Sequence, residues 1–278
     1  MNNMTLSRYL VYKIKSAALN RHALFWGVLF CGFWVVLDLV VFGSSIPPIS
    51  QAWIYYVGAV YATMLTISLA SLGISFYFIF LYGLAGLRYV SKFGKYDVKR
   101  LLLEDVIASI VSTLFYGTLM LIMCIIVAYV SKGVLIFPAN LGVLYLSIVL
   151  LGLQVYLLGL ALSLLVAKLN LARHARFISF LILMLAFLLF IPGNVEKLPQ
   201  YFYALPLMGA GAIAYWGFTG QVPPVGAWWY FYKGGLTIPK VDLWICTWSS
   251  IMWIVLFYLI CLALINRTNP VPVEEIVR

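Results

Sequence analysis

Six long apolar runs, separated by short polar segments, are the feature that most constrains how this chain folds. A helix needs about 20 mostly apolar residues to cross the hydrocarbon core of a bilayer, and each run except a shorter fifth one meets that length. The runs cover residues 23–42, 53–81, 106–130, 141–167, 177–191 and 241–265. Only 9% of the 278 residues are charged, whereas a soluble domain has about 25%. We therefore predict an all-α polytopic membrane protein and exclude a soluble enzyme.

The number of spans, six or seven, depends on a further apolar stretch, residues 204–220. This stretch contains Pro206 and four glycines. Lys and Arg accumulate in cytoplasmic loops, and six spans with both termini inside place most basic residues there. A seventh span weakens this bias only slightly. Lipid-exposed backbone must be helical, so a stretch broken by proline and glycine fits better as a re-entrant element packed against protein. We predict six spans, with an aromatic outer re-entrant region over 193–240 before the last one.

The segment before the first span predicts a cytoplasmic amphipathic interface helix over residues 1–22. Leu6, Leu10 and Ile14 recur at helical spacing, while basic residues lie mainly on other faces. An ordinary flanking helix is the alternative. The transmembrane domain then covers 23–266, and residues 267–278 form a cytoplasmic tail.

Residues 88–105 are predicted to be the largest inner loop, with five basic and three acidic residues. Gly94 is a helix breaker, and Asp97 is a candidate N-cap for the third span. A segment of this size and charge suits the docking of a cytoplasmic partner. A solvated turn with orienting charges is equally compatible with the composition.

The sequence carries no motif for nucleotide hydrolysis or metal binding. Gly94 and Lys95 lack the other positions of a GxxxxGK[ST] phosphate loop. His22 and His174 each follow an arginine at the edge of a span, without carboxylates or thiols at ligand spacing, so we interpret them as interfacial anchors. The four cysteines lie inside apolar runs, and the net charge of +10 comes from basic residues spread over short loops. We predict no catalytic site, cofactor, metal or nucleic-acid partner.

Two polar residues within the runs are candidates for a substrate pathway. Asp38 is the one carboxylate in the interior of a predicted span. An ionised group at the bilayer centre costs about 2.5–3.5 kcal/mol, so it should be paired, protonated or close to an interface. It could contact substrate or a proton, or it could hydrogen-bond to a neighbouring helix. Gln154 in the fourth run is the second candidate, with hydrogen bonding between helices as the favoured alternative.

Small side chains form a stripe on one face of the second run, where they let another backbone approach closely. The stripe consists of Ala59, Thr63, Thr66, Ala70 and Gly73. The sequence does not distinguish packing within the chain from packing against a second copy.

Three segments resemble the membrane subunit of ABC-2 type transporters, the exporter permeases. YLVYKIKSAALNRHALFWGVLF near the start is similar to the interface helix and first span of that family. GKYDVKRLLLEDVIASI is similar to its cytoplasmic turn and the entry to its third helix. LPQYFYALPLMGAGAIAYWGFTG, after a short fifth span, is similar to its outer re-entrant element before the last helix.

The resemblance implies a permease in the cell membrane that exports an amphipathic, lipid-, glycan- or drug-like substrate. A separate cytoplasmic ATPase would supply the missing phosphate loop, and a second copy or a homologue would complete the pathway as a dimer. The expected ATPase contact consists of Lys92, Lys95, Asp97, Lys99 and Arg100.

Two other functions remain open. A non-transporting integral subunit of a larger complex would share this composition. An ion-coupled secondary carrier is weaker, because such carriers place ionisable residues and repeated halves at the midplane, and the sequence has only Asp38 and no visible repeat.

Overall fold

The computed structural model describes residues 3–47, 50–93, 98–196, 198–229 and 239–265. We number the helices of these residues in chain order: α1 Asn3–Ala18, α2 Arg21–Ser45, α3 Ser50–Phe93, α4 Val98–Lys132, α5 Leu141–Lys168, α6 Ala172–Asn194, α7 Met208–Thr219 and α8 Leu243–Ile265. Within this described part, 6 helices, α2 to α6 and α8, are long and apolar enough to cross a membrane. The architecture is that of a helical, multi-pass membrane protein.

The six helices coincide with the six apolar runs, which confirms that prediction. Some helices begin before the apolar run, and α2 does so at a polar side chain that caps the helix. Asn20 accepts hydrogen bonds from the backbone of His22 and Ala23 at the start of α2. The fifth helix is not short: α6 has 23 residues, because it begins among the charged residues that precede the apolar run.

Residues 88–105 are helical wherever the structure describes them, and not the loop that their charge suggested. α3 continues to Phe93 and α4 begins at Val98, and residues 94–97 lie outside the described residues. Lys, Arg and Leu are good helix formers, and charge does not prevent a helix from extending beyond a bilayer. α3 has 44 residues, about 66 Å of helix at 1.5 Å per residue, which is twice the hydrocarbon thickness.

α3 and α5 form the centre of the bundle. In their most apolar windows 83% and 72% of the residues are buried, against 28–39% in the other four long helices. The outer faces of α2, α4 and α8 expose large apolar side chains such as Trp26, Ile126 and Trp248. An exposed surface of this kind suits lipid and not water.

The long helices run alternately between two ends of the bundle. α1 packs against the start of α4, and we call this the basal end. The opposite end, marked by Ser45, Lys132, Asn140 and Lys240, is the distal end. α2 begins at the basal end and α8 finishes there, so α1 and the last residues of α8 lie at the same end.

α7 lies inside the bundle between α3, α5 and α8. Its 12 residues are all buried except the partly exposed Trp216. They span about 18 Å, too little to cross a core of about 30 Å. The residue before α7, Leu207, contacts Gln154 at the middle of α5. The last turn contacts the start of α5 at the distal end, where Asn140 N–H donates to Gly217 carbonyl O at 2.9 Å.

Candidate functional site

Asp38 lies in the distal half of α2, in a segment of wide π-helical turns, Leu37–Val41. A second π-helical segment, Phe25–Phe30, lies earlier in the same helix. Such turns are rare in proteins, and many of those that do occur lie at functional sites. Asp38 is 1% exposed, and within the described structure its buried Oδ2 has no hydrogen-bond partner. A buried polar atom without a partner calls for a specific explanation.

Side chains of α3 and α4 bond to the backbone of α2 at this irregular segment. Tyr56 of α3 donates its hydroxyl to the Asp38 carbonyl oxygen at 2.9 Å. Ser131 of α4 donates to the Leu39 carbonyl oxygen, also at 2.9 Å. A π turn departs from the regular i to i−4 hydrogen bonding, and here its carbonyl groups accept bonds from two neighbouring helices. These bonds fix the position of the Asp38 side chain in the bundle.

On the facing helix α4, the cation closest to Asp38 is Lys132, and its ammonium group contacts groups other than the Asp38 carboxylate. Lys132 donates from Nζ to the Ser44 carbonyl oxygen at 2.9 Å, and Nζ lies 5.7 Å from the centre of the Trp53 ring. A lysine over an indole ring gains a cation–π attraction. The ammonium group therefore points toward the distal end of α2. Cys124 of α4 lies within electrostatic range of the Asp38 carboxyl group.

Gln154 joins three parts of the bundle at its centre. Its Oε1 accepts the Leu207 backbone N–H at 2.8 Å, and its Nε2 donates to the Ser250 carbonyl oxygen of α8 at 3.3 Å. Leu207 has a left-handed backbone with φ of 71°, which is an outlier for a bulky side chain. Gln154 thus holds the strained residue that reverses the chain before α7, and both ends of its amide are used within the protein.

The segments around α7 are fastened by side-chain bonds to backbone carbonyl groups. Tyr203 donates to Val225 at 3.0 Å, and Trp228 Nε1 donates to Pro224 at 2.7 Å. Trp253 of α8 donates from Nε1 to the Ala204 carbonyl oxygen at 2.7 Å. Burial raises the pKa of Tyr203 above its ordinary value, so the phenol stays protonated and remains a donor.

Aromatic rings close the distal part of the bundle. Trp53 stacks on Tyr56 with 5.9 Å between ring centres, and Tyr56 meets Trp229 edge-on at 6.2 Å. Trp229 in turn lies 5.9 Å from Phe190 of α6. Contacts of this kind add to the stabilisation from buried area. They connect α3, α6 and the segment that follows α7.

At the basal end, an ion pair fastens α1 to α4. Lys13 Nζ lies 3.0 Å from Asp105 Oδ1, and Tyr116 donates its hydroxyl to the Ala18 carbonyl oxygen at 3.3 Å. The pair borders a small cavity, which is also lined by Ala17, Phe80 and Tyr156 among others. Asp105 is nearly buried, so the pair is shielded from water on the carboxylate side.

The small-residue stripe lies at the interface of α3 with α5, α6 and α7. Its five residues, Ala59, Thr63, Thr66, Ala70 and Gly73, are all buried. A Cβ atom built on Gly159 of α5 would lie 2.8 Å from the Gly73 carbonyl oxygen, so the two backbones touch there. Helices approach this closely only where both carry small residues. Contacts within the chain therefore occupy this face.

The expected ATPase contact cannot be placed in the same way. Lys95 and Asp97 lie outside the described residues, and so do the side chains of Lys92, Lys99 and Arg100, although these three belong to α3 and α4. The contact stays a prediction. The described residues contain no group of three or more His, Cys, Asp or Glu side chains that could hold a metal ion, and His22 and His174 are exposed.

Several features of these sites were missed by the sequence analysis. Apolar periodicity does not separate π turns from α turns, so the irregular segments of α2 left no sequence signal. Glu104 and Asp105 are buried, although their position in a charged segment suggested solvent. The sequence did contain a signal for the ion pair, namely Lys13 in α1 and the acidic residues Glu104 and Asp105 at the start of α4. It does not show, however, that these two helices are neighbours.

The chain was compared with known proteins. No protein-family model matches it, and no curated protein matches its sequence. Its function has to be argued from its own residues.

Proposed function

We propose that this chain is the membrane-spanning permease subunit of an ATP-driven transporter of the ABC-2 type. It would export an amphipathic, lipid-, glycan- or drug-like substrate across the cell membrane. A separate cytoplasmic ATPase would bind its basal end, and a second copy or a homologue would complete the pathway. Both termini would then be cytoplasmic and the distal end would face outward.

The observation that carries the proposal is α7. A buried helix of half a membrane thickness, entered and left at the distal end and followed by the last long helix, fits the re-entrant element expected from the resemblance. In a bilayer, such a segment needs protein around its backbone, and α3, α5 and α8 surround it. A bundle that served only as an anchor has no need for this element.

The basal end supports the proposal at a second point. α1 precedes the first long helix and is joined to α4 by the Lys13–Asp105 pair. α4 begins at Val98 and carries Lys99 and Arg100 of the expected contact, so a push at that contact would reach α1 and the interior through one helix. This is a mechanical route by which ATP-driven closure of a docked partner would tilt the long helices.

The test uses charge reversal at the expected contact. The double variant Lys99→Glu/Arg100→Glu should lose the ATPase on copurification, or keep it without substrate-stimulated ATP hydrolysis. Lys168→Glu is the matched control, because Lys168 is an exposed cation at the basal end of α5 and lies outside the proposed contact. Assembly and coupling at the level of the unmodified chain in the double variant would contradict the assignment.

An ion-coupled secondary carrier is the second candidate, and the buried Asp38 favours it. The two functions separate in proteoliposomes that contain the purified chain with and without its copurified ATPase. Substrate movement that requires the ATPase and hydrolysable ATP supports the permease. Movement by the chain alone, driven by a proton gradient, would contradict it.

Among the candidate pathway residues, Asp38 is the better supported one. The amide of Gln154 is engaged on both sides by Leu207 and Ser250, which favours a role in holding α7. The Oδ2 atom of Asp38 has no hydrogen-bond partner among the described residues and is available to bind a substrate or a proton.

A further inference from the structure

The Asp38 carboxyl group is enclosed, and the part of the chain that the structure describes offers no cation paired with it. It is 1% exposed, and its Oδ2 is buried with no hydrogen-bond partner among the described residues. An isolated carboxylate in such a place costs far more than a neutral carboxylic acid, because neither water nor a counter-charge stabilises it. The state of the molecule with Asp38 enclosed therefore favours the protonated group.

The titratable and charged groups around Asp38 are neutral or engaged elsewhere. Cys31 lies on α2, Tyr56 and Tyr61 on α3, and Cys124 and Lys132 on α4. The thiols and phenols carry no charge near neutral pH. Lys132 is held by the Ser44 carbonyl oxygen and the Trp53 ring. A metal ion has no ligand set here, since the described residues contain no group of three or more suitable side chains.

The backbone around Asp38 is an irregular turn that can change its geometry when the bonds that hold it are broken. The π segment Leu37–Val41 is joined to α3 and α4 by single side-chain bonds from Tyr56 and Ser131. A π turn can return to α geometry by shifting one residue along the helix, and this would turn the Asp38 side chain relative to Tyr56 and Cys124. The distal end of α2, at Ser45, lies about two turns beyond Asp38 along the helix.

We propose that Asp38 is a proton-binding site that controls the packing of α2 against α3 and α4. With the proton bound, the neutral carboxyl group is enclosed and α2 stays closed on the bundle. When α2 separates from α4, the group meets water at the distal side and releases the proton to it. No other reactant is required, and the charge that appears on Asp38 is balanced by the hydrated proton.

The inference does not rest on the proposed function, because it concerns the chain alone. Its first test is the dependence of thermal unfolding on pH, with the full chain in lipid nanodiscs. Linkage of one proton changes the unfolding equilibrium up to about tenfold per pH unit. Since the closed state binds the proton, the unmodified chain should unfold at lower temperature as pH rises from about 5 to 8.

The variant Asp38→Asn replaces the carboxyl group by a neutral amide of the same shape. It should remain folded and lose the part of the pH dependence that Asp38 contributes, because the amide does not titrate; the buried carboxyl groups Glu104 and Asp105 keep their own contribution. Asp242→Asn is the matched control: Asp242 is an exposed distal carboxylate that caps α8, with Trp244 N–H donating to Oδ1 at 2.8 Å. That variant should keep the full pH profile. An Asp38→Asn chain with an unchanged profile would overturn the proposal.

The second test measures whether α2 opens. Cys124 is buried and becomes the single reporter thiol when the other three cysteines are replaced by alanine. A small thiol reagent should modify Cys124 faster in the chain with Asp38 than in the Asp38→Asn chain, and the ratio of the two rates should grow as pH rises. Because the two chains are compared at the same pH, the effect of pH on the ionisation of the thiol itself largely cancels in the ratio of the rates. Equal rates at every pH would show that Asp38 does not control the opening.

Discussion

Single polar residues decide how the middle of this bundle is held together. Gln154 is a fully buried amide whose two polar atoms have partners on different segments. One of these partners, the Leu207 N–H, belongs to a left-handed residue with no polar side chain of its own. A buried donor that loses its acceptor costs the full penalty of desolvation. The bond from Gln154 thus offsets part of the strain at the reversal before α7.

Replacement of Gln154 by methionine should therefore destabilise the protein more than loss of an exposed amide. We expect a loss of about 1–2 kcal/mol in the free energy of unfolding, because the Leu207 N–H is left unsatisfied in an apolar site. The measurement is reversible unfolding in mixed micelles. Gln221→Met is the control, since Gln221 is exposed at the end of α7 and should be nearly neutral. Equal losses in the two variants would show that Gln154 does not hold α7.

Helices of the bundle differ in how far the sequence alone predicts them. Apolar length was sufficient for α2 to α5 and α8, because a bilayer imposes that length on any spanning helix, whereas the apolar run in α6 is shorter than its helix of 23 residues. The 88–105 segment was expected to be a loop, since charge indicates contact with water but not its conformation. Asp38 could be found as the only carboxylate in the interior of an apolar run, whereas its neighbours Tyr56 and Cys124 could not. Which faces of two helices meet depends on their rotation, and only tertiary packing fixes that.

The contact of α3 with α5 gives a prediction at the scale of two elements. Gly159→Ala would place a Cβ atom 2.8 Å from the Gly73 carbonyl oxygen and 3.3 Å from Tyr77 N. Neither backbone atom can move without a shift of a whole helix, so we expect a loss of about 1–3 kcal/mol, as in an overpacked core. In Gly83→Ala the new Cβ meets no described atom within 4 Å, and the gain in helix propensity should make that variant neutral or more stable.

Both α3/α5 variants are checked by thermal unfolding and by size-exclusion chromatography in the same detergent. The prediction fails when Gly159→Ala unfolds at the temperature of Gly83→Ala or above it. That outcome would mean that the two central helices are separated by more than the structure indicates.

The whole molecule combines a closed distal part with a bundle whose outside is apolar. In the described part of the chain, six long helices alternate between the two ends, and α7 runs from the middle of α5, where Leu207 meets Gln154, to the distal end. The distal segments are joined to each other, since Ala227 N–H donates to the Val195 carbonyl oxygen at 2.9 Å. Glu196 and Gln221, one before α7 and one after it, are both exposed near this end. If the protein crosses the bilayer six times, these two residues lie on one side of it.

Labelling of single cysteines can test that arrangement in sealed vesicles. With the four native cysteines replaced by alanine, Glu196→Cys and Gln221→Cys should react with a membrane-impermeant maleimide from the same side, because 12 residues of α7 cannot cross the core. Lys168→Cys, at the exposed basal end of α5, should react only from the opposite side. In a chain with seven spans, positions 196 and 221 would be labelled from opposite sides. In that case α8 would also run in the reverse direction across the membrane, whereas its contacts with α5, Ser250 with Gln154 and Cys261 with Leu157, follow each other in the same order along both helices and show that the two run parallel.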